Sequence, residues 1–267
     1  MNTPVVHTIV SRDNPALKAL RVLAKDNSAY RKRGQLWLEG DHLCRAALAR
    51  GWVVSQAVFA QSRWERQGAD SDFSLPRVMV LADALFDGLS PLAADQKMGF
   101  VVDLPTAPQI DPSLATVVLD QVQDAGNVGS VLRSAAAFGF AQVVALRGTA
   151  GLWSPKVVRA GMGAHFALRL VESASVADAL ALRVPLIATS SHQGDWLHQC
   201  EGALSLPWPC AWLLGHEGQG VQAALLDAAQ RRVRIAQPGG EESLNVAAAA
   251  AVCLHASAAA QARLKTT

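Results

Sequence analysis

The stretch that decides the fold reads VRIAQPGGEESLNVAAAAA and runs from Val233 to Ala251. It opens with a short β-branched run, Val233–Ile235, which indicates a strand. Pro238-Gly239-Gly240 then interrupts any regular element, because glycine adopts φ > 0 at little steric cost. From Val246 onward alanine dominates, and this composition predicts a helix that can approach its neighbours closely. The sequence therefore places a strand, a glycine turn and a helix in immediate succession.

Polar residues fill the gap between the glycine turn and the alanines. Glu241, Glu242 and Ser243 fit the start of a helix, because a serine hydroxyl accepts an orphan backbone N–H and carboxylates favour the positive helix end. Asn245 then falls inside the helix start, where asparagine is a poor helix former. Taken alone, this stretch is interpreted as a cap on a packed helix, and a functional role for Ser243 and Asn245 depends on the rest of the chain.

Composition predicts a folded protein of one large or two ordinary domains. The chain has 267 residues, of which 51% are hydrophobic and 17% charged, so it can bury a sizeable core. The formal charge of +2 is too small to indicate a nucleic-acid partner by itself. Up to Arg33, however, seven Lys and Arg residues stand against two Asp residues. This basic segment fits either a solvated helix face or contact with RNA or DNA.

The cysteines indicate neither a metal site nor disulfides. Cys44, Cys200, Cys210 and Cys253 are far apart and form no C-x-x-C pair, which argues against structural zinc and against a disulfide framework. A reducing, cytoplasmic setting is expected.

Met1–Val10 lacks the pattern of a signal peptide, and the longest apolar run is too short to span a bilayer, so a soluble protein without membrane contact is predicted.

Alternating strands and helices predict two α/β domains. Residues 1–103 form the first, which is small, and residues 104–113 form a linker stiffened by three prolines. Residues 114–267 form the second. It begins with Thr116–Asp120 (TVVLD), a run apolar enough for a strand buried on both faces of a parallel sheet. Ligands of such sheets bind beyond the carboxyl ends of the strands, so the loops at those ends are the candidate site.

The first of these loops, Gln121–Gly129, reads QVQDAGNVG and precedes a helix. Asn127 and Arg133 are six residues apart, which is about 240° around a helix once full turns are removed, so two helical residues at this spacing cannot share a face. Asn127 is therefore expected in the loop or at the helix cap. Arg133 lies in a helix that is apolar on most sides, and this setting favours an interaction partner.

A second loop, LLGHEGQGV from Leu213 to Val221, interleaves three glycines with one acid at the end of an apolar strand. Its spacing is G-x-x-G-x-G and it lacks a Walker lysine, so neither a P-loop nor a dinucleotide fingerprint is present. A nucleotide-dependent oxidoreductase is therefore disfavoured. Tight turns explain the glycines, and close approach of a ligand to backbone N–H groups is the alternative.

Three stretches together resemble a known family: DAGNVGSVLRSAAAFG at 124–139, LLGHEGQGV at 213–221 and VRIAQPGGEESLNVAAA at 233–249. In order and spacing they are similar to the three motifs of the SpoU (TrmH) class of the SPOUT superfamily of RNA ribose 2′-O-methyltransferases. The similarity covers Thr116–Ala258 and includes SPKVVRAGMG at 154–163.

The resemblance implies a fold, a cofactor and partners. The catalytic domain would be trefoil-knotted with a parallel sheet, use S-adenosylmethionine (AdoMet) as methyl donor, form a homodimer and methylate an RNA ribose 2′-hydroxyl. The segment 31–50 (RKRGQLWLEGDHLCRAALAR) is more loosely similar to the L30e-like RNA-binding domain that often precedes it. Because such modules recognise folded RNA, ribosomal RNA is the expected substrate and tRNA the alternative. A catalytically silent RNA-binding module would not need the polar motif residues together, so it is disfavoured.

The resemblance also assigns the site. The polar active-site positions are Asn127, Arg133, Glu217, Ser243 and Asn245, and the positions that cradle AdoMet are Thr189, Gly215, Ile235 and Leu244. Models of the family assign to Arg133 the removal of the proton from the acceptor hydroxyl. A guanidinium stays protonated in proteins, however, so phosphate binding and oxyanion stabilisation are favoured.

The other polar residues receive supporting roles. Asn127 and Asn245 are expected to orient the ribose or the methionine end of AdoMet. Ser243 is expected to take or pass a hydrogen bond, and Glu217 to fix the motif loops.

A few positions depart from the family pattern. Ala125 stands where proline is usual, Ala236-Gln237 where Pro-Met is usual, and His216 where a small residue is usual. None of these changes removes a polar catalytic group, so an active enzyme is predicted. His216 is interpreted as a cap of its loop, with RNA contact as the alternative.

Overall fold

The computed structural model describes residues 5–67, 77–89, 97–190, 193–200, 205–239 and 243–266. The chain divides into two compact units that are discontinuous in sequence. The first comprises Met1–Thr106 and Trp153–Phe166, and the second comprises Ala107–Leu152 and Ala167–Thr267. The predicted division into 1–103, 104–113 and 114–267 follows chain order and stays a prediction. It does not anticipate that Trp153–Phe166 belongs to the first compact unit.

Strands and helices alternate along the described residues, as the sequence predicts. In chain order they are β1 (Val5–Ile9), α1 (Pro15–Lys25), α2 (Ala29–Arg33), β2 (Gln35–Glu39), α3 (Asp41–Ala49), β3 (Val54–Ala60), α4 (Gln61–Gln67), β4 (Arg77–Leu81), α5 (Asp83–Asp87), β5 (Met98–Asp103), β6 (Thr116–Leu119), α6 (Ala125–Ala137), β7 (Gln142–Leu146), α7 (Pro155–Gly161), β8 (Arg169–Ala174), α8 (Val176–Leu180), β9 (Leu186–Thr189), β10 (Asp195–Trp196), β11 (Ala211–Leu214), α9 (Ala223–Ala228), β12 (Arg231–Arg234) and α10 (Val246–Thr266). The sequence did not predict β1, α2 or β10.

The first unit contains a five-stranded mixed sheet with the order β1-β4-β3-β5-β2. β1, β4 and β3 run parallel, whereas β5 is antiparallel to both β3 and β2. Helix α1 buries Leu17, Leu20 and Leu23, which recur at helical spacing, in the core of this unit. Its N-cap is Asn14, whose Oδ1 accepts hydrogen bonds from the first free N–H groups of the helix.

The second unit contains a seven-stranded sheet with the order β10-β12-β9-β11-β6-β7-β8, in which all neighbours are parallel. In β6, Val117, Val118 and Leu119 are fully buried, as a strand covered on both faces requires. The predicted α/β fold with a parallel sheet is confirmed. Because β12, β9, β11 and β6 are adjacent and parallel, the loops that follow these four strands lie along one edge.

Helix α10 packs on α6 and β11 through one face. Ala250, Cys253, Leu254 and Ser257 are buried at the i, i+3, i+4, i+7 spacing of a helix face. The Ser257 hydroxyl accepts a hydrogen bond from Nε1 of Trp212 in β11 over 2.9 Å, so two buried polar groups satisfy each other. Among the described helices, none combines the length and apolar composition needed to cross a membrane.

The start of α10 differs from the prediction. The helix begins at Val246 and Asn245 caps it, because Asn245 Oδ1 accepts hydrogen bonds from the next free N–H groups, those of Ala247 and Ala248, at 2.9 and 3.2 Å. The expectation that the helix starts at Ser243, with Asn245 inside it, was therefore wrong. Ser243 is exposed and precedes the helix, while Glu241 and Glu242 lie outside the described residues.

The start of α6 also lies earlier than expected. Asp124 is the N-cap, and its Oδ1 accepts a hydrogen bond from the backbone N–H of Asn127 over 2.7 Å. Asn127 is thus in the first turn of the helix, and the expectation of a loop or cap position was wrong because the aspartate three residues earlier takes that role. Both Asn127 and Arg133 are helical, so the 240° between them places their side chains on different faces.

Candidate active site

Most of the predicted site residues lie at the carboxyl edge of the parallel sheet. Thr189 ends β9, Gly215 follows β11 and Ile235 follows β12, while the loop after β6 leads to Asn127 at the start of α6. These residues are far apart in sequence and come together because their strands are neighbours in the sheet. The edge is the place where open α/β sheets bind ligands.

A chain of three polar side chains connects the loops at this edge. Asn127 Nδ2 donates a hydrogen bond to Glu217 Oε1 over 3.0 Å. Asn245 Nδ2 donates to Asn127 Oδ1 over 2.9 Å. All three side chains remain in contact with solvent, so a substrate can reach them. The structure therefore brings together three of the predicted site residues, Asn127, Glu217 and Asn245, and shows which atoms join them.

Hydrogen bonds at the starts of α6 and α10 fix the positions of both asparagines. Asn127 is held in the first turn of α6 by Asp124, and Asn245 is held by its cap bonds to α10. The side-chain amide of Asn127 keeps one orientation, because reversing it would place its oxygen against the Glu217 carboxylate. The site is thus preorganised by the starts of two helices.

The glycine-rich loop closes on itself between Gly215 and Gly220. His216 N–H donates to Gly220 O over 3.1 Å, and Gly220 N–H donates to His216 O over 2.8 Å. A Cβ on Gly215 would lie 2.1 Å from the carbonyl carbon of Gly220, so only glycine fits there. Gly220 adopts φ = 71°, a conformation that also favours glycine. The turn presents Glu217 to Asn127.

His216 acts within this loop. Its Nδ1 accepts a hydrogen bond from the backbone N–H of Gly218 over 3.0 Å. This bond requires a neutral ring with the proton on Nε2, since a protonated Nδ1 cannot accept. The geometry agrees with the interpretation of His216 as a loop cap.

A buried carboxylate that sequence reasoning missed holds the residue that follows the loop. Asp120, the residue after β6, is 1% exposed, and its two carboxylate oxygens accept hydrogen bonds from the backbone N–H and the side-chain amide of Gln222, each at 2.7 Å. The only sequence signal is an acid directly after a continuous apolar run. Its neighbour Gln121 has φ = 59°, which is uncommon for a residue with a side chain, and this turns the chain toward α6.

Arg133 is not part of the hydrogen-bonded chain. It is exposed on α6 and forms no hydrogen bond or ion pair with any residue that the structure describes. The partner expected from its apolar helix is therefore absent from the described part of this chain. Its guanidinium is available for a phosphate.

The remaining predicted residues occupy two kinds of environment. The Thr189 hydroxyl donates to the carbonyl of Leu213 over 3.2 Å and so ties β9 to β11. Ile235 is half-buried. Ser243 and Leu244 precede α10 and are exposed, and among the described residues Ser243 has no hydrogen-bond partner. The structure thus places Ser243 near Asn245 in the chain without joining it to the other polar groups.

Two features of the edge fit a bound cofactor. Gln237, two residues after Ile235, has a solvent-excluded Oε1 that finds no hydrogen-bond partner among the residues that the structure describes. An unsatisfied buried acceptor costs about 1–3 kcal/mol, which a donor on a ligand would offset. The close approach at Gly215 also leaves backbone groups, and no side chain, at the end of β11. Nowhere in the described ranges do three His, Cys, Asp or Glu residues cluster as a metal site.

Comparison with known proteins agrees with this geometry. The model of the SpoU rRNA Methylase family matches residues 115–255, which include all three loops of the site. The chain belongs to this family. The resemblance noted in the three motifs is thereby confirmed, and the match lies within the part of the chain that follows the predicted linker.

Individual relatives extend the similarity to almost the whole chain. An uncharacterized tRNA/rRNA methyltransferase of Synechocystis sp. is 30% identical over 262 residues, 95% of this chain and 94% of the relative. The 23S rRNA (guanosine(2553)-2′-O)-methyltransferase RlmP of Bacillus subtilis is 30% identical over 227 residues, 84% of this chain and 88% of RlmP. The AdoMet-bound rRNA methyltransferase from Sinorhizobium meliloti superposes with a TM-score of 0.81 at 25% identity, covering 97% of this chain and 98% of that one.

Proposed function

We propose that this protein transfers a methyl group from AdoMet to a ribose 2′-hydroxyl of ribosomal RNA. The hydrogen-bonded chain from Glu217 through Asn127 to Asn245 carries the proposal, because it joins the three family motifs at the ligand-binding edge of the sheet. Membership in the SpoU family supports the reaction. Similarity to RlmP and to an AdoMet-bound rRNA methyltransferase supports the acceptor and the cofactor.

Backbone and apolar groups at the edge would hold AdoMet. We assign this role to Gly215, Ile235 and Leu244, with Thr189 beside them. AdoMet supplies a methyl group on a positively charged sulfonium, which is the electrophile of the reaction. The protein's contribution is to align the acceptor oxygen with that methyl group and to exclude water.

The polar residues then act on the acceptor ribose. Arg133 binds the neighbouring phosphate and stabilises the negative charge that develops on the 2′-oxygen, a role suited to a guanidinium that is always protonated. Asn127 and Asn245 keep one amide N–H each for the ribose or for the methionine end of AdoMet, because each of their Nδ2 groups uses one of two hydrogens within the protein. Ser243 takes or passes a hydrogen bond, and Glu217 holds the glycine loop.

The first unit offers a basic surface for RNA. In α2, Arg31, Lys32 and Arg33 are exposed, while Ala29 and Tyr30 anchor the helix in the core. Three consecutive exposed cations suit phosphate contacts. We assign this helix to RNA binding by an L30e-like module.

The predicted homodimer belongs to the same proposal, as do the trefoil knot and a cytoplasmic location. Val252 of α10 is 43% exposed and, with Ile235 and Ala259, lines an apolar groove of about 580 Å³. A second copy that covers this groove would bury an apolar surface that isolated monomers rarely expose. Light scattering of the purified protein tests this step: a dimer is expected, Val252→Glu should weaken it, and a wild-type monomer would contradict it.

The reaction itself is tested with labelled AdoMet. Total RNA from a strain that lacks the protein is incubated with the purified wild type or with Asn127→Ala, and the 2′-O-methyl sites are mapped. Incorporation at one ribosomal RNA nucleotide by the wild type, and loss in the variant, are expected. Incorporation into tRNA alone would correct the substrate, and no incorporation into any RNA would overturn the function.

A further inference from the structure

Asp120 is a buried carboxylate whose hydrogen bonds hold a functional loop. It is 1% exposed, yet no cation lies in an ion pair with it among the described residues; both of its oxygens accept from Gln222. A buried carboxylate is costly to desolvate, and this one is compensated only by amide donors. A role in positioning the residues to which it is bonded would explain why a carboxylate is buried here.

The two ends of the glycine loop are both attached at Asp120. The backbone N–H of Asp120 donates to the carbonyl of Leu214, directly before the loop, over 2.8 Å. The side chain of Asp120 holds Gln222, directly after the loop. A single residue at the end of β6 therefore fixes the entry and the exit of Gly215–Val221.

Inside these attachments the loop has little freedom. The hydrogen bonds between His216 and Gly220 pair its two sides, and Gly215 packs against the backbone of Gly220 and Val221. Because the loop is stiff, a displacement at its exit is transmitted to Glu217 at its apex. Glu217 in turn accepts the hydrogen bond that orients Asn127.

We propose that Asp120 is a positioning residue that holds the glycine loop in its AdoMet-binding conformation through its two hydrogen bonds to Gln222. Asp120 acts through the loop and does not contact the cofactor or the RNA. This inference rests on the proposed function, in which Gly215 belongs to the AdoMet site. It adds a residue that none of the three motif assignments includes.

The test compares four variants by AdoMet dissociation constant, by kcat and KM, and by thermal unfolding. Asp120→Ala removes both hydrogen bonds. Asp120→Asn can restore them, because its oxygen accepts from the Gln222 N–H and its amide can donate to a rotated Gln222 side chain. Gln222→Ala keeps the backbone bond and loses the side-chain bond. Thr116→Val is the matched control.

Thr116 lies at the opposite end of the same strand. It is fully buried, donates to Leu114 O over 2.8 Å and accepts from Gln142 Nε2 over 3.0 Å. Thr116→Val therefore also removes two buried hydrogen bonds from β6, far from the carboxyl edge. A merely structural role of Asp120 would give Asp120→Ala and Thr116→Val the same AdoMet affinity at temperatures where both are folded.

We expect the AdoMet dissociation constant to rise about tenfold or more in Asp120→Ala, about threefold in Gln222→Ala, and less than about threefold in Asp120→Asn. Thr116→Val should stay within about twofold of the wild type, and in Asp120→Ala KM for AdoMet should rise more than kcat falls. Equal affinity of Asp120→Ala and Thr116→Val would overturn the inference. If Asp120→Ala does not fold, unchanged affinity in Gln222→Ala overturns it. Failure of the wild type to bind AdoMet would instead overturn the proposed function, and this inference with it.

Discussion

Asn245 donates its side-chain N–H to Oδ1 of Asn127 over 2.9 Å, although 118 residues separate the two in sequence. The oxygen of the same Asn245 amide caps α10. One amide therefore caps the start of α10 through its oxygen and joins the candidate site through its nitrogen. We therefore expect Asn245 to affect both stability and activity, and substitutions that keep one of its two hydrogen-bonding roles and remove the other can separate these effects.

Replacing Asn245 by Asp should reduce activity without reducing stability. An aspartate still accepts the N–H groups of the first turn, so the free energy of unfolding should stay within about 0.5 kcal/mol of the wild type, whereas Asn245→Ala should cost about 1 kcal/mol. The carboxylate cannot donate to Asn127, and Asn127 cannot reverse its amide because Glu217 occupies its other side. Methyl transfer should fall about tenfold or more in both variants, as measured with labelled AdoMet.

Asn14 provides the matched control for this prediction. It caps α1 in the first unit through the same pair of acceptor bonds, to the N–H groups of Ala16 and Leu17. Asn14→Asp and Asn14→Ala should reproduce the stability changes and leave methyl transfer at the wild-type rate. Wild-type activity in Asn245→Asp would show that the bond to Asn127 does not matter for the reaction.

The same residues show what the sequence could and could not predict. Thr116–Leu119 was predictable as a buried strand because an unbroken apolar run needs cover on both faces. The cap of α10 was not, because Ser243 after two glutamates is locally the better helix start, and the choice of Asn245 includes a bond to a residue 118 positions away. Strand β1 was missed because it is an edge strand with four of five residues exposed.

The residues of the candidate site could be named from the motifs, but the hydrogen bonds that join them could not be predicted. The motif resemblance supplied Asn127, Glu217 and Asn245, yet their hydrogen bonds depend on helix starts that local propensity placed wrongly. The pair of Asp120 and Gln222 lay outside the motif assignments, since contacts across 102 residues leave no local pattern. Such long-range hydrogen bonds depend on the order of the strands in the sheet, and local sequence patterns do not reveal this order.

Replacing Gly215 by Ala should abolish AdoMet binding. The new Cβ would lie 2.1 Å from the carbonyl carbon of Gly220 and 2.2 Å from the amide nitrogen of Val221, distances that backbone cannot accept without moving. Gly218→Ala is the control in the same loop, since its Cβ would meet only the His216 ring at 3.7 Å, an ordinary contact. Calorimetry should detect no AdoMet binding to the first variant and near-wild-type binding to the second. Similar affinities in both would show that the loop adapts.

The thiol of Cys210 should make the protein lose stability in alkaline solution. Burial raises the pKa of this thiol from 9.0 to about 12. Above pH 9 the unfolded chain releases the thiol proton while the folded state retains it, so the free energy of unfolding falls as the pH rises through that value. At pH 10, one unit above the unfolded pKa, the loss is about 1.4 kcal/mol.

Urea unfolding of the wild type and of Cys210→Ala at pH 8 and pH 10 measures this effect. The cost of the missing sulfur is the same at both pH values, and the other cysteines are present in both proteins. The stability advantage of the wild type should therefore shrink by about 1.4 kcal/mol at pH 10. An advantage that is equal at both pH values would mean that the folded protein ionises Cys210 as readily as the unfolded chain.

Arg133 should be important for catalysis and unimportant for folding. Its side chain is exposed and unpaired among the described residues, so Arg133→Ala should change the free energy of unfolding by less than about 0.5 kcal/mol. Methyl transfer should fall about 100-fold, because the guanidinium is assigned to the phosphate and to the charge that develops on the 2′-oxygen. Arg133→Lys keeps the charge and loses the planar two-point contact, so a decrease of about tenfold is expected.

A second exposed arginine distinguishes this role from a general effect of charge on RNA binding. Arg183 precedes β9 and so lies at the amino edge of the same sheet, away from the site. Arg183→Ala removes the same net charge and should leave methyl transfer within about twofold of the wild type. Even if Arg183 contacts an RNA phosphate, the loss of one exposed contact weakens binding only modestly. Equal losses in Arg133→Ala and Arg183→Ala would reduce Arg133 to part of a diffuse basic surface. Full activity in Arg133→Lys would show that its charge suffices without the bidentate geometry.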